Sequence, residues 1–381
     1  MKELILLCAG AAGDPPPDDA GLVPPSRGEL QRLLARGVLC QDRRIAGDPQ
    51  LELPEDAWLR ERFAVPSSDC IEALAGAREG LQAPWWSLTP CHLHIGLDHA
   101  MLVDPGQLAL APDEAEALAA AVTETFSAAG LALRWPRPDH WFALGAPWRL
   151  QAWPWTLASG RNVVAWQPTG DDGRAWRRLL TEIQMIWHDH PVNQARGERG
   201  QRPVNALWLN GFVLGARTSP APPGSPVHAG ASVQAGASVQ AGASPGALLT
   251  ARPALAGLAE RAGWTVLDTP ARQLDPAAAA DAAGTGTLLI DAGDWRTARR
   301  LGDRDAWLRA WSDFDAWLAR PAFATALGRA QGRLRVVCTA ERRLVELATP
   351  GIPAWRFWQR LDALRAIGAN PVKPARPRAE P

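Results

Sequence analysis

His188-Asp-His-Pro-Val-Asn193-Gln-Ala-Arg-Gly-Glu-Arg-Gly-Gln-Arg-Pro-Val-Asn205-Ala-Leu-Trp208-Leu-Asn-Gly211 joins a helical pattern to a strand-like one. Before it, in Asp172–Trp187, the residues Trp176, Leu179, Leu180, Ile183 and Trp187 recur at helical spacing and predict one apolar face. The imidazoles of His188 and His190 stand where a helix end exposes carbonyls. The segment closes on Ala206–Leu209, an uninterrupted apolar run that predicts a strand covered on both faces. Asn193 and Asn205 fall between, in turns whose backbone groups their amides suit.

Working outward, Leu4–Cys8, Thr287–Asp291 and Leu334–Cys338 are further runs of the same kind. Helical spacing lies between them, in Glu29–Ala35 (Leu30, Leu33, Leu34) and in Asp305–Leu318 (Trp307, Trp311, Phe314, Leu318). Strand alternating with helix predicts a parallel α/β core. From Thr89 to Trp166 the pattern changes to paired short segments, His92–Leu97, Met101–Val103, Leu131–Trp135, Trp141–Leu144 and Val163–Trp166, with a helix at Asp113–Phe126 among them. That predicts an inserted α+β domain with antiparallel strands. The expected organisation is a discontinuous core, 1–85 and 185–370, around an insertion at 86–184. A low-complexity loop at 217–246 repeats Ala-Gly-Ala-Ser-Val-Gln and cannot bury enough apolar area to offset its ordering entropy. A basic, Pro-rich tail at 371–381 is expected to be disordered.

Hydrophobic residues make up 47% of the chain, ample for a core, and the formal net charge is zero. No basic surplus exists to neutralise a phosphate backbone, so nucleic acid is not an expected partner. No stretch is long and apolar enough to span a bilayer, and Leu4–Cys8 is too short for a secretory signal. The 5 cysteines include no Cys-x-x-Cys pair, and Cys8 and Cys338 close apolar runs, which suits reduced thiols in a cytoplasmic protein.

The segment His188–Gly211 resembles the archaeal-type cofactor-independent phosphoglycerate mutases, in which a His-Pro-Val-Asn element precedes a basic linker and an Asn-Ala-Leu-Trp-Leu strand. Other stretches follow in the same order. Met1–Gly37 resembles the family's first strand, Gly-Asp-Pro loop and first helix. Pro90-Cys91-His92, Val103-Asp104 and Glu114–Leu118 resemble its next elements. Ala247–Pro270, Trp295–Leu318 and Leu334–Arg342 resemble its carboxy-terminal regions. Among bacterial proteins the chain looks closest to the proteobacterial RpfE-type regulatory proteins. The resemblance implies an alkaline-phosphatase-like core and phosphoryl transfer through a Ser or Thr between two divalent metals. Such metals, roughly 4 Å apart, clamp the attacking and leaving oxygens.

The residues that this chemistry needs are largely replaced. Where the first strand of the family ends in Asp-Gly, this chain has Ala9-Gly10. Arg27-Gly28-Glu29 stands where Thr-Pro-Asn is expected, and Ser26, one residue off, is the remaining hydroxyl candidate. Gly302 and Asp303 match a later metal segment, but its His is absent. Thr339-Ala340-Glu341-Arg342 keeps the last turn with Arg in place of a metal-binding His, and a guanidinium cannot ligate a metal. The substrate-binding Arg before Cys91 is Pro90, and a later Arg-His pair is His140-Trp141.

The first expectation is therefore a non-catalytic, regulatory protein that binds a small metabolite or a protein partner, with no cofactor and no membrane. Its candidate ligand-binding residues are His92, His94, Asp98, His140, His188, His190, Asn193 and Asn205. The alternative is an active mutase or phosphotransferase using Mn or Mg with rearranged ligands, among them Asp303, Glu341, Asp291 and the pair His188 and His190. A third reading builds a metal hydrolase on His92 and His94, which would share one face of a strand, with Asp98 or His99. Against it, the histidines are simply polar residues hydrogen-bonded in a retired cleft.

Overall fold

The computed structural model describes residues 1–13, 28–35, 37–45, 52–82, 84–96, 99–145, 148–214, 246–349 and 366–368. Its strands, numbered in chain order, are β1 (Glu3–Ala9), β2 (Val38–Arg44), β3 (Trp85–Cys91), β4 (Leu93–Ile95), β5 (Ala100–Leu102), β6 (Leu131–Arg137), β7 (His140–Gly145), β8 (Ala206–Val213), β9 (Ala247–Thr250), β10 (Thr265–Asp268), β11 (Thr287–Asp294), β12 (Leu334–Thr339) and β13 (Arg343–Ala348). The chain divides into two compact units, Met1–Trp58 with Ser244–Pro381, and Leu59–Ala243.

The first unit is a sheet in the order β10-β9-β11-β1-β12-β13-β2. Its members from β10 to β12 are parallel, and β13 runs antiparallel to both β12 and β2. β1 lies at the centre, with Leu4 beside Leu288 on one side and Leu334 on the other. Leu4, Leu6 and Cys8 face one apolar cluster while Ile5 and Leu7 turn to the opposite face, and all five are fully buried. This two-sided burial is what the uninterrupted run required. The helix Arg304–Leu318 covers one face through Trp307, Trp311, Phe314 and Leu318. Asp303 starts it, accepting a 2.8 Å bond from the Ala306 amide. Its aromatic rings, Trp317 among them, continue into Trp295 and Phe323 as a chain of tilted, edge-on and stacked contacts. Burying each of these rings contributes about 1.5–3 kcal/mol.

The second unit is an antiparallel sheet, β6-β7-β3-β8, with the hairpin β4-β5 beside it. Helices Pro112–Ala128 and Gly173–His188 close one face through Leu118, Val122, Phe126, Trp176, Ile183 and Trp187. Buried Asn210 donates to Ser87 Oγ and Thr89 Oγ1 and accepts from the Trp155 amide.

The α/β core with an inserted α+β unit is as expected, but three assignments differ. Ala206–Leu209 belongs to β8, which pairs antiparallel with β3 from Trp85↔Val213 to Cys91↔Ala206, and is not part of the parallel core. An uninterrupted apolar run reports burial of both faces, and an antiparallel strand beneath helices meets that condition too. The unit boundaries accordingly fall at 58/59 and 243/244 rather than 85/86 and 184/185. Val163–Trp166 is a 3-10 turn rather than a strand, started by Asn162 accepting from the Val164 amide. The loop expected at 217–246 lies, apart from Gly246, outside the described residues, as does the tail at 371–381.

Candidate functional site

Parallel α/β sheets present ligands at the carboxyl ends of their strands. In the first unit that edge carries a compact group of charges. Thr250 ends β9, Arg252 lies two residues on, Asp291 is in β11, and Glu55 sits in the first turn of the helix Pro54–Phe63. Arg252 grips Asp291 with two prongs, Nε to Oδ2 at 2.8 Å and Nη2 to Oδ1 at 3.1 Å. Its third nitrogen, Nη1, donates to Glu55 Oε1 at 2.6 Å. Thr250 Oγ1 donates to Asp291 Oδ2 at 2.8 Å and accepts from the Arg252 amide at 3.0 Å. Arg296 Nη1 reaches the other Glu55 oxygen at 3.3 Å. Burial works against the Arg252 charge, but Asp291 and Glu55 overcome it and hold the guanidinium above its ordinary value. Glu55 is 2% exposed, and these cations offset part of the cost of burying its carboxylate.

Two neighbouring positions are filled from within the chain in the same way. After β1, Gly10 takes φ +77°, and a Cβ there would sit 2.5 Å from the Arg296 amide nitrogen, which explains why this glycine stands without the acid before it. Arg299 donates to the Gly10 and Ala12 carbonyls. At the start of the helix Glu29–Leu34, Asp315 Oδ1 accepts from the Leu30 amide at 3.0 Å and lies 2.3 Å from where a Gly28 Cβ would be. A carboxylate of the chain itself thus occupies the amide end of the helix at the place where the resemblance puts a nucleophile. Ser26 lies outside the described residues. Past β12, Ala340 N donates to Arg343 O in the hairpin to β13. Arg343, 1% exposed, forks onto Asp42 at 2.8 and 2.9 Å and donates to the carbonyls of Gly13, Ala366, Ile367 and Gly368.

This donor set does not fit a pair of divalent cations. Asp291 and Glu55 are saturated by guanidinium, Asp303 is an exposed helix cap, and Glu341 shares its turn with Arg342. Among the described residues no three His, Cys, Asp or Glu side chains are grouped to hold a metal ion.

The histidine candidates lie in the second unit. His92 precedes β4 instead of joining it, and its Nδ1 is 2.9 Å from the Pro203 carbonyl, so it does not share a strand face with His94. Burial chiefly, helped by Arg202 and His94, lowers its pKa against the opposing Pro203 bond. His94 is exposed opposite Met101, and Asp98 lies outside the described residues. His140 is buried with Nε2 3.4 Å from the Glu72 carbonyl and 3.8 Å from its carboxylate. His188 is exposed. His190 caps the helix Pro191–Glu198, its Nδ1 accepting from the Val192 amide at 3.2 Å, so it meets an amide and not the helix-end carbonyls expected; burial lowers its pKa.

The asparagines tie this segment together. Asn193 donates to the carbonyls of Trp187 at 2.7 Å and Val204 at 2.9 Å and accepts from the Val204 amide at 2.8 Å. Asn205 brackets Leu93, accepting from its amide at 2.7 Å and donating to its carbonyl at 3.0 Å. Sequence reasoning missed Arg196, 1% exposed, which binds Glu114 and the carbonyls of Leu108 and Arg202. It named Asp291 but missed the partners that surround it, Thr250, Arg252 and Glu55, whose signal was Thr-x-Arg at the end of a buried strand.

No protein-family model matches the chain. A 111-residue stretch is 28% identical to a 2,3-bisphosphoglycerate-independent phosphoglycerate mutase of Methanothrix thermoacetophila, covering 29% of this chain and 24% of that protein. Over that stretch the chain is similar to a phosphoglycerate mutase, and it spans about a quarter of that protein's length. Among solved structures, the PH0037 protein of Pyrococcus horikoshii aligns over 96% of this chain and 93% of its own, with 12% identity and a TM-score of 0.51. A cofactor-independent phosphoglycerate mutase from Thermoplasma acidophilum aligns over 96% and 95%, with 16% identity and a TM-score of 0.42. At 12% identity the PH0037 likeness is one of fold alone, a mostly parallel α/β sheet with an inserted α+β unit. Among the described residues no helix is long and apolar enough to cross a membrane.

Proposed function

We propose that the chain is a degenerate, non-catalytic relative of the cofactor-independent phosphoglycerate mutases. Its role is regulatory, as in the RpfE-type proteins it resembles, and it acts by binding a small metabolite or a protein partner in the cytoplasm. One observation carries the reading: the carboxylates of Asp291, in β11, and Glu55, in the helix Pro54–Phe63, are bound by Arg252 and Arg296. A phosphoryl-transfer site of this family must present carboxylates to metal ions, and here guanidinium groups have taken them. Asp315, seated at the amide end of the helix Glu29–Leu34, supports the same reading, because it occupies the cradle an anionic reacting group would need. Compartment and partner class rest on composition. Five cysteines without a Cys-x-x-Cys pair suit a reducing milieu, and a formal net charge of zero disfavours nucleic acid.

The test is turnover of 3-phosphoglycerate by purified protein, followed through an enolase-coupled assay with Mn, Mg, Co or Zn supplied in turn. The expected outcome is no conversion above the protein-free rate with any metal. Metal-dependent conversion that tracks the protein through purification refutes the reading in favour of an active enzyme with rearranged ligands.

A further inference from the structure

β1 and β12 run side by side as parallel strands, and their pairing is unbroken from Leu4↔Leu334 to Cys8↔Cys338. Strands paired in this way lie about 4.8 Å apart. That separation falls within the roughly 4.4–6.8 Å between Cα atoms that a disulfide spans. Residues in register on neighbouring strands point to the same face, and both cysteines belong to the cluster under the helix Arg304–Leu318. Each is fully buried, and their thiols share a hydrogen bond. Register, face and contact thus set one thiol against the other, at the last position but one of each strand. As packing, either cysteine serves as a small apolar side chain. As a pair they have a chemistry that neither has alone.

We propose that Cys8 and Cys338 form a latent cross-strand disulfide, closed by a small-molecule disulfide such as glutathione disulfide and reopened by thiols. The thiolate of one cysteine attacks a sulfur of the oxidant, forming a mixed disulfide and releasing one thiolate. The second cysteine, deprotonated in turn, attacks the protein sulfur of that bond and displaces the other half of the oxidant. Two electrons pass to the oxidant, which leaves as two thiols carrying the two protons, and one S–S bond replaces another. The closed fold reacts slowly. Burial chiefly, then Cys338 and the charge of Asp291, hold the Cys8 thiol well above its ordinary value against the opposing charge of Arg272, so little thiolate is present. Closure therefore proceeds when the carboxyl ends of β1 and β12 open. Bonds from the Gly10 amide to Thr339 Oγ1 at 3.3 Å and from the Ala12 amide to the Thr339 carbonyl at 2.9 Å hold those ends together. A reducing milieu keeps the pair open. Oxidation joins the first strand of the chain to its last parallel one and closes a loop around nearly the whole sequence, the case in which a cross-link restricts the unfolded chain most. None of this depends on whether the protein is catalytic.

The experiment exposes reduced wild type, Cys8→Ala and Cys338→Ala to glutathione disulfide, with and without urea below the unfolding transition. The proteins are then unfolded, alkylated and digested without reductant for peptide mass spectrometry. Wild type is expected to lose two hydrogens and to yield the linked Cys8 and Cys338 peptides from most chains, several-fold faster in urea, with dithiothreitol restoring both thiols. The closed form should keep the near-ultraviolet circular dichroism of the reduced form and unfold roughly 5 °C or more higher. Neither alanine variant should form the link or show the shift. Cys8→Val or Cys338→Val, which fills the apolar space, replaces an alanine variant that does not fold. The proposal is overturned if either cysteine pairs instead with Cys40, Cys70 or Cys91, or if the reaction stops at the mixed disulfide. It is overturned equally if both thiols stay alkylatable after exposure in urea, or if closing the bond abolishes the native dichroism or lowers the unfolding temperature.

Discussion

Arg343→Ala leaves Asp42 and a row of backbone carbonyls without their common donor. The side chain is 1% exposed, lies 2.8 and 2.9 Å from the Asp42 oxygens, and serves the carbonyls of Gly13, Ala366, Ile367 and Gly368. Removing one partner of a buried ion pair costs about 3–5 kcal/mol, mostly through the charge left behind. Asp42 is 22% exposed and regains some water, which moves the expectation to the lower end, about 3–4 kcal/mol. The carbonyls add to it, since each unsatisfied buried acceptor costs about 1–3 kcal/mol unless water enters the vacated space. For a unit of this size that corresponds to a fall of roughly 6–16 °C in the midpoint of thermal unfolding. Urea unfolding followed by tryptophan fluorescence measures it, and a double-mutant cycle with Asp42→Asn isolates the pair, whose coupling should be about 1–3 kcal/mol. A loss under about 0.5 kcal/mol, or a coupling near zero, refutes the claim that Arg343 holds the Gly13 loop and residues 366–368 to β13.

Asn193→Ala, which deletes bonds to Trp187 and Val204, should destabilise by about 2–4 kcal/mol, and Asn193→Asp should be no better, because a carboxylate cannot donate to those carbonyls; chemical denaturation checks both. The pKa of His190 is lowered in the fold by burial, so the unfolded chain takes up the proton first. The stability this contributes is full above the unfolded value of about 6.5 and declines as pH falls through the depressed folded value. His190→Asn, which keeps a cap for the helix Pro191–Glu198, should flatten the decline measured from about pH 7.5 to 5, and an unchanged slope counts against it. Gly28→Ala should cost about 1–3 kcal/mol because its Cβ meets the Asp315 carboxylate at 2.3 Å, and Asp315→Ala introduced with it should recover part of the loss in the same unfolding assay.

Much of the first unit was legible because Leu4–Cys8, Thr287–Asp291 and Leu334–Cys338 each bury both faces, and unbroken apolar runs record that directly. The same signal misplaced Ala206–Leu209, since hydrophobicity is blind to strand direction. Direction there is set by the pairing with β3, more than a hundred residues earlier in the chain. The site was legible in its losses and opaque in its replacements. Ala9 and Arg342 can be read one at a time, whereas the bond from Arg252 to Glu55 joins residues 197 apart and leaves no local pattern. The histidines misled for a related reason: spacing places His92 and His94 on one face only if both are in the strand, and the Pro203 carbonyl draws His92 out of it. Asn193 and Asn205 were readable as residues that bind backbone groups, but the turn assigned to Asn193 is wrong: it works from within the helix Pro191–Glu198, and which segments the two clasp required the fold.

The central position of β1 sets the order in which the first unit can be assembled. Its neighbours β11 and β12 begin at Thr287 and Leu334, so the whole second unit is synthesised before Leu4 has a strand on either side. At ordinary rates of translation that interval is on the order of tens of seconds. Throughout it the apolar run Leu4–Cys8 is an unpaired template, the condition under which strands associate with the wrong partner. The sheet is therefore topologically late, closing from both sides around its oldest strand, and a ribosome stalled between β8 and β11 would release a folded insertion attached to an aggregation-prone stub.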